Sequence, residues 1–251
     1  MNFGYTLSGL LIGSIVGMTG VGGGSLMTPL LVLVFGIQPS IAVGTDLLYA
    51  AITKAGGAWV HGRQGHVEWN IVGLLSLGSI PAAILSVLVL NGLAIDRQVL
   101  SSLISTTLGI ALILTSVALL YRDRIRKLGG MSGEKVKFAT VAAGAMLGML
   151  VTMSSVGAGA LGTVVLFFLY PRLSPISVVG TDIAHAVPLT AIAGLGHAAL
   201  GTVDFHLLGS LLLGSLPGIY FGSMLGSRIP EKMLRGALAG MLILIGGKLM
   251  F

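Results

Sequence analysis

The segment Thr19-Gly20-Val21-Gly22-Gly23-Gly24-Ser25 separates an apolar stretch at 4–18 from a second one at 25–36. Four of the five residues from 20 to 24 are glycine, and each glycine costs a continuous helix about 1 kcal/mol relative to alanine. The stretch at 25–36 has 12 residues, which make about 18 Å of helix and cannot cross a hydrocarbon core of about 30 Å. The segment therefore predicts a helix that breaks inside a membrane, which is tolerated only where the break is buried or lines a wet cavity.

The composition of the whole chain agrees with a membrane setting. Hydrophobic residues make up 55% of the 251 positions and charged residues only 9%, whereas soluble domains carry roughly 25% charged residues. The absence of cysteine from the sequence excludes disulfides, thiolate nucleophiles and cysteine-ligated metals. The N-terminus has no basic region before its first apolar stretch, so we expect a retained helix and not a cleaved signal peptide. Composition thus predicts an integral membrane protein and excludes the soluble-enzyme classes.

Ten apolar stretches, each bounded by glycine, proline or charge, follow one another along the chain. The second and the seventh have only 12 residues each. We predict an all-α polytopic membrane protein with about 8–10 spans, in which these two stretches are short helices or the returning arms of re-entrant hairpins. The stretches lie at 4–18, 25–36, 40–60, 69–90, 98–121, 136–152, 159–170, 175–200, 205–226 and 232–251.

The chain also contains an internal repeat at an offset of 136 residues. Gly44-Thr45-Asp46 recurs as Gly180-Thr181-Asp182, and nine of the 21 positions in 61–81 are identical in 197–217. At an offset of 135, the glycine segment aligns with Val156-Gly157-Ala158-Gly159. The predicted units are a first transmembrane repeat at 1–121, a basic linker at 122–137 and a second transmembrane repeat at 138–251.

The linker decides the predicted topology because it contains six of the 14 basic residues. Basic loops stay in the cytoplasm, so we place residues 122–137 there. If each half crosses five times, the halves are inverted, both termini lie outside, and most of the remaining basic residues also face the cytoplasm. A hairpin that enters and returns counts as two crossings, so the charges leave open whether 4–36 and 138–170 are full spans or re-entrant hairpins.

Glycine has two expected roles in this chain. Small residues at every fourth position are typical of close helix packing, and two such stripes occur at Gly9, Gly13 and Gly17 and at Gly218, Gly222 and Gly226. For residues 20–24 we favour a substrate site, because transporters place helix breaks there with the N-termini of half-helices aimed at an anion. The short helices opening at Ser25 and Ala160 would present positive dipole ends and the free N–H groups of residues 25–28 and 160–163.

In combination, these motifs resemble the TauE/SafE family of sulfite and sulfonate permeases. The resemblance rests on the glycine break followed by Pro29, Pro39 and Gly44-Thr45-Asp46, and the weaker second copy fits the internal duplication of that family. It covers essentially the whole chain. It implies transport of small sulfur-containing anions such as sulfite or sulfoacetate, usually outwards, across the cytoplasmic (inner) membrane. Ala158 and Ala160 stand where the pattern has glycine, which argues against equal roles for the two hairpins.

Charged side chains inside apolar stretches are costly and usually functional, and three stand out, Asp46, Lys54 and Asp182. For the aspartates a structural role stays open, because each lies two turns into a helix that starts at proline and could bind backbone N–H groups of a break. Lys54 has no counterpart, since Thr190 takes its position in the second copy, and we favour an anion or ion-pair role. Asp46 and Asp182 are the candidates for a coupling proton if they are desolvated, and Asp182 is the better one because it has no lysine within reach along its helix.

The predicted substrate site combines both breaks with the helix faces that carry the aspartates. No cofactor and no metal is expected, since neither H-x-x-x-H nor H-E-x-x-H occurs in the sequence. The expected partners are a small anion, a coupling proton or Na⁺, and the lipid bilayer, but not nucleic acid; the oligomeric state stays open. The predicted substrate-binding residues are Gly22, Gly23, Gly24, Ser25, Thr28, Thr45, Tyr49, Lys54, Gly157, Gly159, Ala160, Thr163, Thr181 and His185.

The sequence predicts a secondary transporter and not an enzyme, because an intramembrane enzyme needs a convergent acid–base or metal set that this chain lacks. A passive anion channel and an uptake permease for another small organic anion are the alternatives. His61 and His197 fall at symmetric helix ends, where capping or an interfacial hydrogen bond is the default role. Glu68 and Asp204 are expected to begin the next helices, where a carboxylate suits the dipole.

Overall fold

The protein is described by a computed structural model that covers residues 3–19, 24–92, 97–130, 133–226 and 231–250. Within these ranges the chain forms ten α-helices and no strand, which confirms the predicted all-helical class. The helices are α1 (Phe3–Thr19), α2 (Gly24–Leu33), α3 (Pro39–Arg63), α4 (Trp69–Gly92), α5 (Arg97–Leu128), α6 (Glu134–Ser154), α7 (Ala160–Leu169), α8 (Pro175–Ala199), α9 (Phe205–Gly226) and α10 (Glu231–Met250).

The lengths of these helices are those of a multi-pass membrane protein. α2 and α7 have ten residues each, about 15 Å of helix, so neither spans a hydrocarbon core of about 30 Å. The two half-length elements predicted from the sequence are therefore confirmed. Five stretches in the described helices are long and apolar enough to cross a membrane, namely Trp69–Gly92, Ser101–Leu128, Glu134–Ser154, Pro175–Ala199 and Phe205–Gly222.

Proline and acidic residues set the starts of the central helices. α3 begins at Pro39 and α8 at Pro175, because the first helical position needs no N–H and suits the fixed φ of proline. Asp204 directly precedes α9, and its Oδ1 accepts a hydrogen bond from His206 N at 2.9 Å. Glu68 directly precedes α4. The expectation that these two acidic residues begin the next helices is confirmed.

Glycine allows α1 to lie directly on the backbone of α9. A Cβ atom added to Gly13 would lie 2.6 Å from the carbonyl oxygen of Ser215, and one on Gly9 would overlap the carbonyl oxygen of Leu211. These contacts advance along both helices in the same direction, so α1 and α9 run parallel. Gly218 of α9 touches the backbone of α1 in return, and the packing role predicted for the glycine stripes is confirmed at these positions.

The same packing joins α4 and α6. Gly144 and Gly148 of α6 lie against the carbonyl oxygens of Leu75 and Ser79 of α4, so these two helices also run parallel. Gly144 and Gly148 are the counterparts of Gly9 and Gly13 in the second half of the chain. The first helix of each half therefore packs on the fourth helix of the other half.

Equivalent helices of the two halves cross in opposite directions. Gly194 of α8 lies against Leu48 of α3, whereas Ile183 of α8 is 3.5 Å from a Cβ atom placed on Gly57 of α3. α3 and α8 are therefore antiparallel, and the contacts between α5 and α10 show the same relation. An inverted repeat produces this arrangement. The inversion relative to the membrane, with both termini outside, remains a prediction.

These directions favour re-entrant hairpins over full spans for α1–α2 and α6–α7. α9 follows α8 after a short loop, so α9, α1 and α3 all run the same way. α2 joins the end of α1 to the start of α3 and must run back, yet its length of about 15 Å covers only half of the hydrocarbon core. We therefore expect the end of α1 to lie inside the core, and by the same reasoning the end of α6, which would enter from the opposite face; the choice between hairpins and full spans remains a prediction.

The predicted basic linker is mostly helical. α5 continues to Leu128 and α6 begins at Glu134. The Arg126 guanidinium on the last turn of α5 donates to the carbonyl oxygens of Pro171 and Leu173 at 3.1 and 3.2 Å. The basic end of α5 is thereby tied to the loop between α7 and α8, while the boundaries of the two repeats remain a prediction.

Single cysteines will report the topology without background, because the natural chain has none. We expect Gln38→Cys, between α2 and α3, to react with a membrane-impermeant maleimide on intact cells, since α1–α2 enters and returns at the outer face. Gln64→Cys and Ser132→Cys should react only after permeabilisation, and a reporter fused after Phe251 should score as external. Labelling of Gln38→Cys and Ser132→Cys from the same side would contradict the inverted arrangement.

Candidate functional site

The second glycine segment forms a break between α6 and α7. α6 ends at Ser154 and α7 begins at Ala160, the residue expected to open the short helix. Ser155, Gly157 and Gly159 have φ angles of 58°, 119° and 134°, in a region that L side chains rarely adopt and glycine tolerates. The predicted interruption of the helix is confirmed in this half, and the backbone conformation requires glycine at 157 and 159.

The first glycine segment is only partly covered. Residues 20–23 lie outside the described residues, so the substrate-binding roles of Gly22 and Gly23 stay predictions. α2 begins at Gly24, one residue before the expected Ser25, and the roles of these two residues also stay predictions.

The first turn of α7 presents a helix N-terminus to the interior. Two of the four N–H groups expected to face the substrate, those of Gly162 and Thr163, already donate to carbonyl oxygens of the break at 3.0 and 3.2 Å. The hydroxyl of Thr163 donates to Ala160 O at 2.9 Å. The N–H groups of Ala160 and Leu161 are left as the donors that this turn can offer an anion, which is half the number expected from the sequence.

Lys54 brings a positive charge from the first half of the chain to the break in the second half. Its side chain is 7% exposed, and its Nζ donates to the carbonyl oxygen of Ala158. Asp182 and Asp46 both lie close enough to act electrostatically on the ammonium group, so the expected lack of a lysine near Asp182 holds only along its own helix. The equivalent residue of the second half, Thr190, forms a hydrogen bond within its own helix. Of this matched pair, Lys54 alone brings a charge to the site.

The two aspartates are buried in different surroundings. Asp46 is fully buried, and its Oδ2 accepts a hydrogen bond from Thr28 Oγ1 of α2 at 2.5 Å, with Ser155 beside the same carboxylate. Asp182 is 1% exposed, and neither of its carboxylate oxygens has a hydrogen-bond partner within the described part of the chain. A Cβ atom on Gly162 would overlap Asp182 Oδ1, so this carboxylate lies directly on the first turn of α7.

Tyr49 and His185 occupy equivalent positions, one turn after each aspartate, and both are buried. His185 Nε2 is 2.8 Å from Ser79 Oγ of α4, and Tyr49 lies beside Ser215 of α9. Among the described residues, His185 Nδ1 and the Tyr49 hydroxyl have no hydrogen-bond partner and can bind a ligand. Ser79 and Ser215 were not predicted as part of the site. Both occur in a Gly-Ser-x-Pro sequence that the internal repeat duplicates, and this duplication could have identified them.

The Gly-Thr-Asp motifs hold the two halves together. Thr45 Oγ1 accepts a hydrogen bond from Asp204 N, and Thr181 Oγ1 accepts one from Glu68 N, both at 3.0 Å. Gly44 also contacts the loop between α8 and α9, and Gly180 contacts the loop between α3 and α4. This geometry gives both threonines an anchoring role at the start of α9 and α4, whereas their role in substrate binding stays a prediction.

The two helix-end histidines differ as well. His197 Nδ1 is 2.9 Å from Thr202 Oγ1, and its Nε2 is 2.9 Å from Thr152 O. His61 has no partner for Nδ1 in the described ranges and lies against His66, with ring centroids 5.8 Å apart. The expected hydrogen bonding at a helix end is confirmed for His197.

Comparison with known proteins agrees with this architecture. The family described as sulfite exporter TauE/SafE matches residues 5–249. The probable membrane transporter protein YjnA of Bacillus subtilis is 39% identical over 255 residues, which cover 99% of this chain and 100% of YjnA. The probable membrane transporter protein YdhB of the same organism is 28% identical, over 93% of this chain and 96% of YdhB.

A more distant relative, the probable membrane transporter protein MJ0441 of Methanocaldococcus jannaschii, is 23% identical over 95% of this chain and 91% of its own length. No solved structure matches the chain. The family match extends over nearly every described helix, and the resemblance found from the motifs is confirmed. The chain belongs to the TauE/SafE sulfite exporter family of membrane transporters.

Proposed function

We propose that this protein is a secondary transporter that moves a small sulfur-containing oxyanion, sulfite or an organosulfonate such as sulfoacetate, outwards across the cytoplasmic membrane. The description of the family supports the substrate class and the direction, and the names of the relatives support membrane transport. In the proposed topology, residues 122–137 lie in the cytoplasm and both termini lie outside.

The observation that carries the proposal is the buried Lys54 at the second break. A lysine at the centre of a membrane helix costs about 3 kcal/mol on insertion scales. Its Nζ is held by the carbonyl oxygen of Ala158, directly before the N-terminus of α7. An ammonium group and a helix N-terminus both attract an anion, so the two together make an oxyanion site inside the membrane.

The remaining donors around this point suit a sulfonate or sulfite group. Ser155 of the break and His185, on which Lys54 acts electrostatically, each have a buried polar atom without a hydrogen-bond partner in the described structure, as does Tyr49 beside Asp46. The N–H groups of Ala160 and Leu161 add two further donors. A sulfur oxyanion presents three acceptor oxygens and can use more of these donors than a carboxylate can, which supports the proposed preference.

The relation between the halves supports alternating access. α3 and α8 cross in opposite directions, and each carries one aspartate beside the short helix of its own half. In the proposed topology the two hairpins enter from opposite faces. A rearrangement of the two hairpins could then open the site to one face while closing it to the other.

Purified protein should be stabilised by sulfur oxyanions. We expect sulfite and sulfoacetate to raise Tm at concentrations where acetate leaves it unchanged, because a ligand at a hundred times its Kd adds about 2.7 kcal/mol of stability. In proteoliposomes, unlabelled internal sulfoacetate should accelerate entry of labelled sulfoacetate, which a passive channel does not show. Equal stabilisation by acetate would contradict the substrate class, and absence of the acceleration would favour a channel.

Removal of the buried charge should weaken binding. We expect Lys54→Met to raise the Kd for sulfoacetate at least tenfold, a loss of about 1.4 kcal/mol, because the helix end that remains contributes only about 0.3–2 kcal/mol. Isothermal titration of the purified variant measures this. Lys248→Met is the matched control, since it removes an exposed lysine of α10, and its Kd should equal that of the wild type. An unchanged Kd for Lys54→Met would show that Lys54 does not take part in binding the anion.

The backbone of the second break should be equally sensitive. Gly157 has a φ angle of 119°, and a side chain there costs about 1–3 kcal/mol and displaces the carbonyl that holds Lys54. We expect Gly157→Ala to lower sulfoacetate transport at least tenfold with normal membrane insertion, and Gly23→Val to act likewise in the first break. Gly209→Ala is the control, because a Cβ atom there meets nothing within 4 Å. Normal transport by Gly157→Ala would show that the break serves packing alone.

A further inference from the structure

Asp182 is buried, and no hydrogen-bond donor of the described residues reaches its carboxylate. Both of its carboxylate oxygens lack a partner in the part of the chain that the structure describes. A buried carboxylate in that condition is costly until a proton or a ligand compensates it. Lys54, the nearest cation, donates to the carbonyl oxygen of Ala158, so its hydrogen bonding leaves the carboxylate unsatisfied. Asp46, by contrast, has one oxygen that accepts a hydrogen bond from the Thr28 hydroxyl, and only its Oδ1 lacks a partner among the described residues.

The carboxylate of Asp182 also occupies the place that the substrate would take. It lies on the first turn of α7 at Gly162 and within electrostatic reach of Lys54. The oxyanion proposed above depends on the same helix end and the same ammonium group. Two negative charges about 4 Å apart repel even at an effective dielectric of about 20, which is enough to weaken binding roughly a thousandfold.

Building on the proposed function, we propose that Asp182 takes up a proton before an oxyanion binds at the N-terminus of α7, so that each transported anion carries one proton with it. The proton adds to a carboxylate oxygen and leaves the side chain neutral. Lys54 and the end of α7 are then free to hold the anion. Once the anion has left, the proton returns to water on the same side.

The charged and titratable neighbours of Asp182 are few in the described helices. From α3 it is faced by Lys54, and on α8 itself His185 lies one turn further along. The Nε2 of His185 is engaged by Ser79 of α4, and α7 presents backbone at Gly162. Of the two buried aspartates, Asp182 is therefore the one that lies directly on the first turn of α7.

The net charge moved in each cycle then depends on the substrate. Sulfoacetate has two negative charges at neutral pH, so together with one proton it moves one net negative charge. An inside-negative membrane potential drives that charge outwards. A monovalent sulfonate such as methanesulfonate would move with its proton without net charge, and the potential would not act on it.

Calorimetric titration of the full-length protein with sulfoacetate tests the proposal, in two buffers that differ in heat of ionisation. Both charges of this probe are constant from pH 6 to 8.5, so any proton uptake belongs to the protein. We expect uptake to approach one proton per bound anion as the pH rises, with the Kd then weakening about tenfold per pH unit. Asp182→Asn should bind without proton uptake and with a Kd that does not change with pH.

Two further variants complete the test. Asp46→Asn is the matched control from the first half and should keep the proton uptake, whatever its affinity. Asp182→Glu should also keep the proton uptake, with a shifted pH midpoint. This variant tests the need for a carboxyl group at position 182 even if Asp182→Asn folds poorly. Proton uptake that persists in Asp182→Asn, or disappears in Asp46→Asn, would overturn the proposal.

Two outcomes with the wild-type protein separate this proposal from the proposed function. Sulfoacetate binding with no proton uptake and no pH dependence would overturn the role of Asp182 and leave oxyanion transport standing with another coupling. No binding of sulfoacetate or methanesulfonate at any pH would overturn the proposed function and the role of Asp182 together.

Discussion

Inside a hydrocarbon core no water is available to hydrogen-bond a backbone carbonyl or to solvate a charge. The hydrogen bond from Lys54 to the carbonyl oxygen of Ala158 satisfies both groups at once. The positive φ angles at Ser155, Gly157 and Gly159 interrupt the helix and free the carbonyl oxygen of Ala158. That oxygen and the ammonium group of Lys54 would each be costly alone. Their contact makes a broken helix and a buried lysine compatible, and it joins the two halves of the chain where the anion site is proposed.

Close backbone packing surrounds this polar centre. Lipid tails are as apolar as leucine side chains, so helices in a membrane associate mainly through packing and hydrogen bonds. The glycines of α1, α4, α6 and α9 let these helices touch along their backbones. Thr45 and Thr181 add one hydrogen bond each between the halves. The aspartates and Lys54 are thereby carried by helices that are fixed on both sides, which suits a site that needs defined geometry.

The helices could be predicted from the sequence because their boundaries are encoded locally. Apolar length, the glycine segments and the prolines at 39 and 175 placed the ten stretches within a few residues of α1–α10, except at the end of α5, which continues to Leu128 instead of ending at 121. The contacts between the halves could not be found in this way. Lys54 and Ala158 are 104 residues apart and Thr45 and Asp204 are 159 apart, and no local pattern encodes such pairs. The repeat does contain part of this information, since Ser79 and Ser215 match in sequence and each lies beside an inward ring of the other half.

The exchange of helix partners between the halves affects how the protein is made. α1 packs on α9, which leaves the ribosome roughly 10–40 s later at about 5–20 residues per second. During that interval the glycine face of α1 has lipid or the insertion machinery as its neighbour. The first half is an unfinished structure until synthesis is nearly over. The proteases and chaperones of membrane quality control therefore encounter a nascent chain whose α1 glycine face is unpaired, a form that does not occur in the mature transporter.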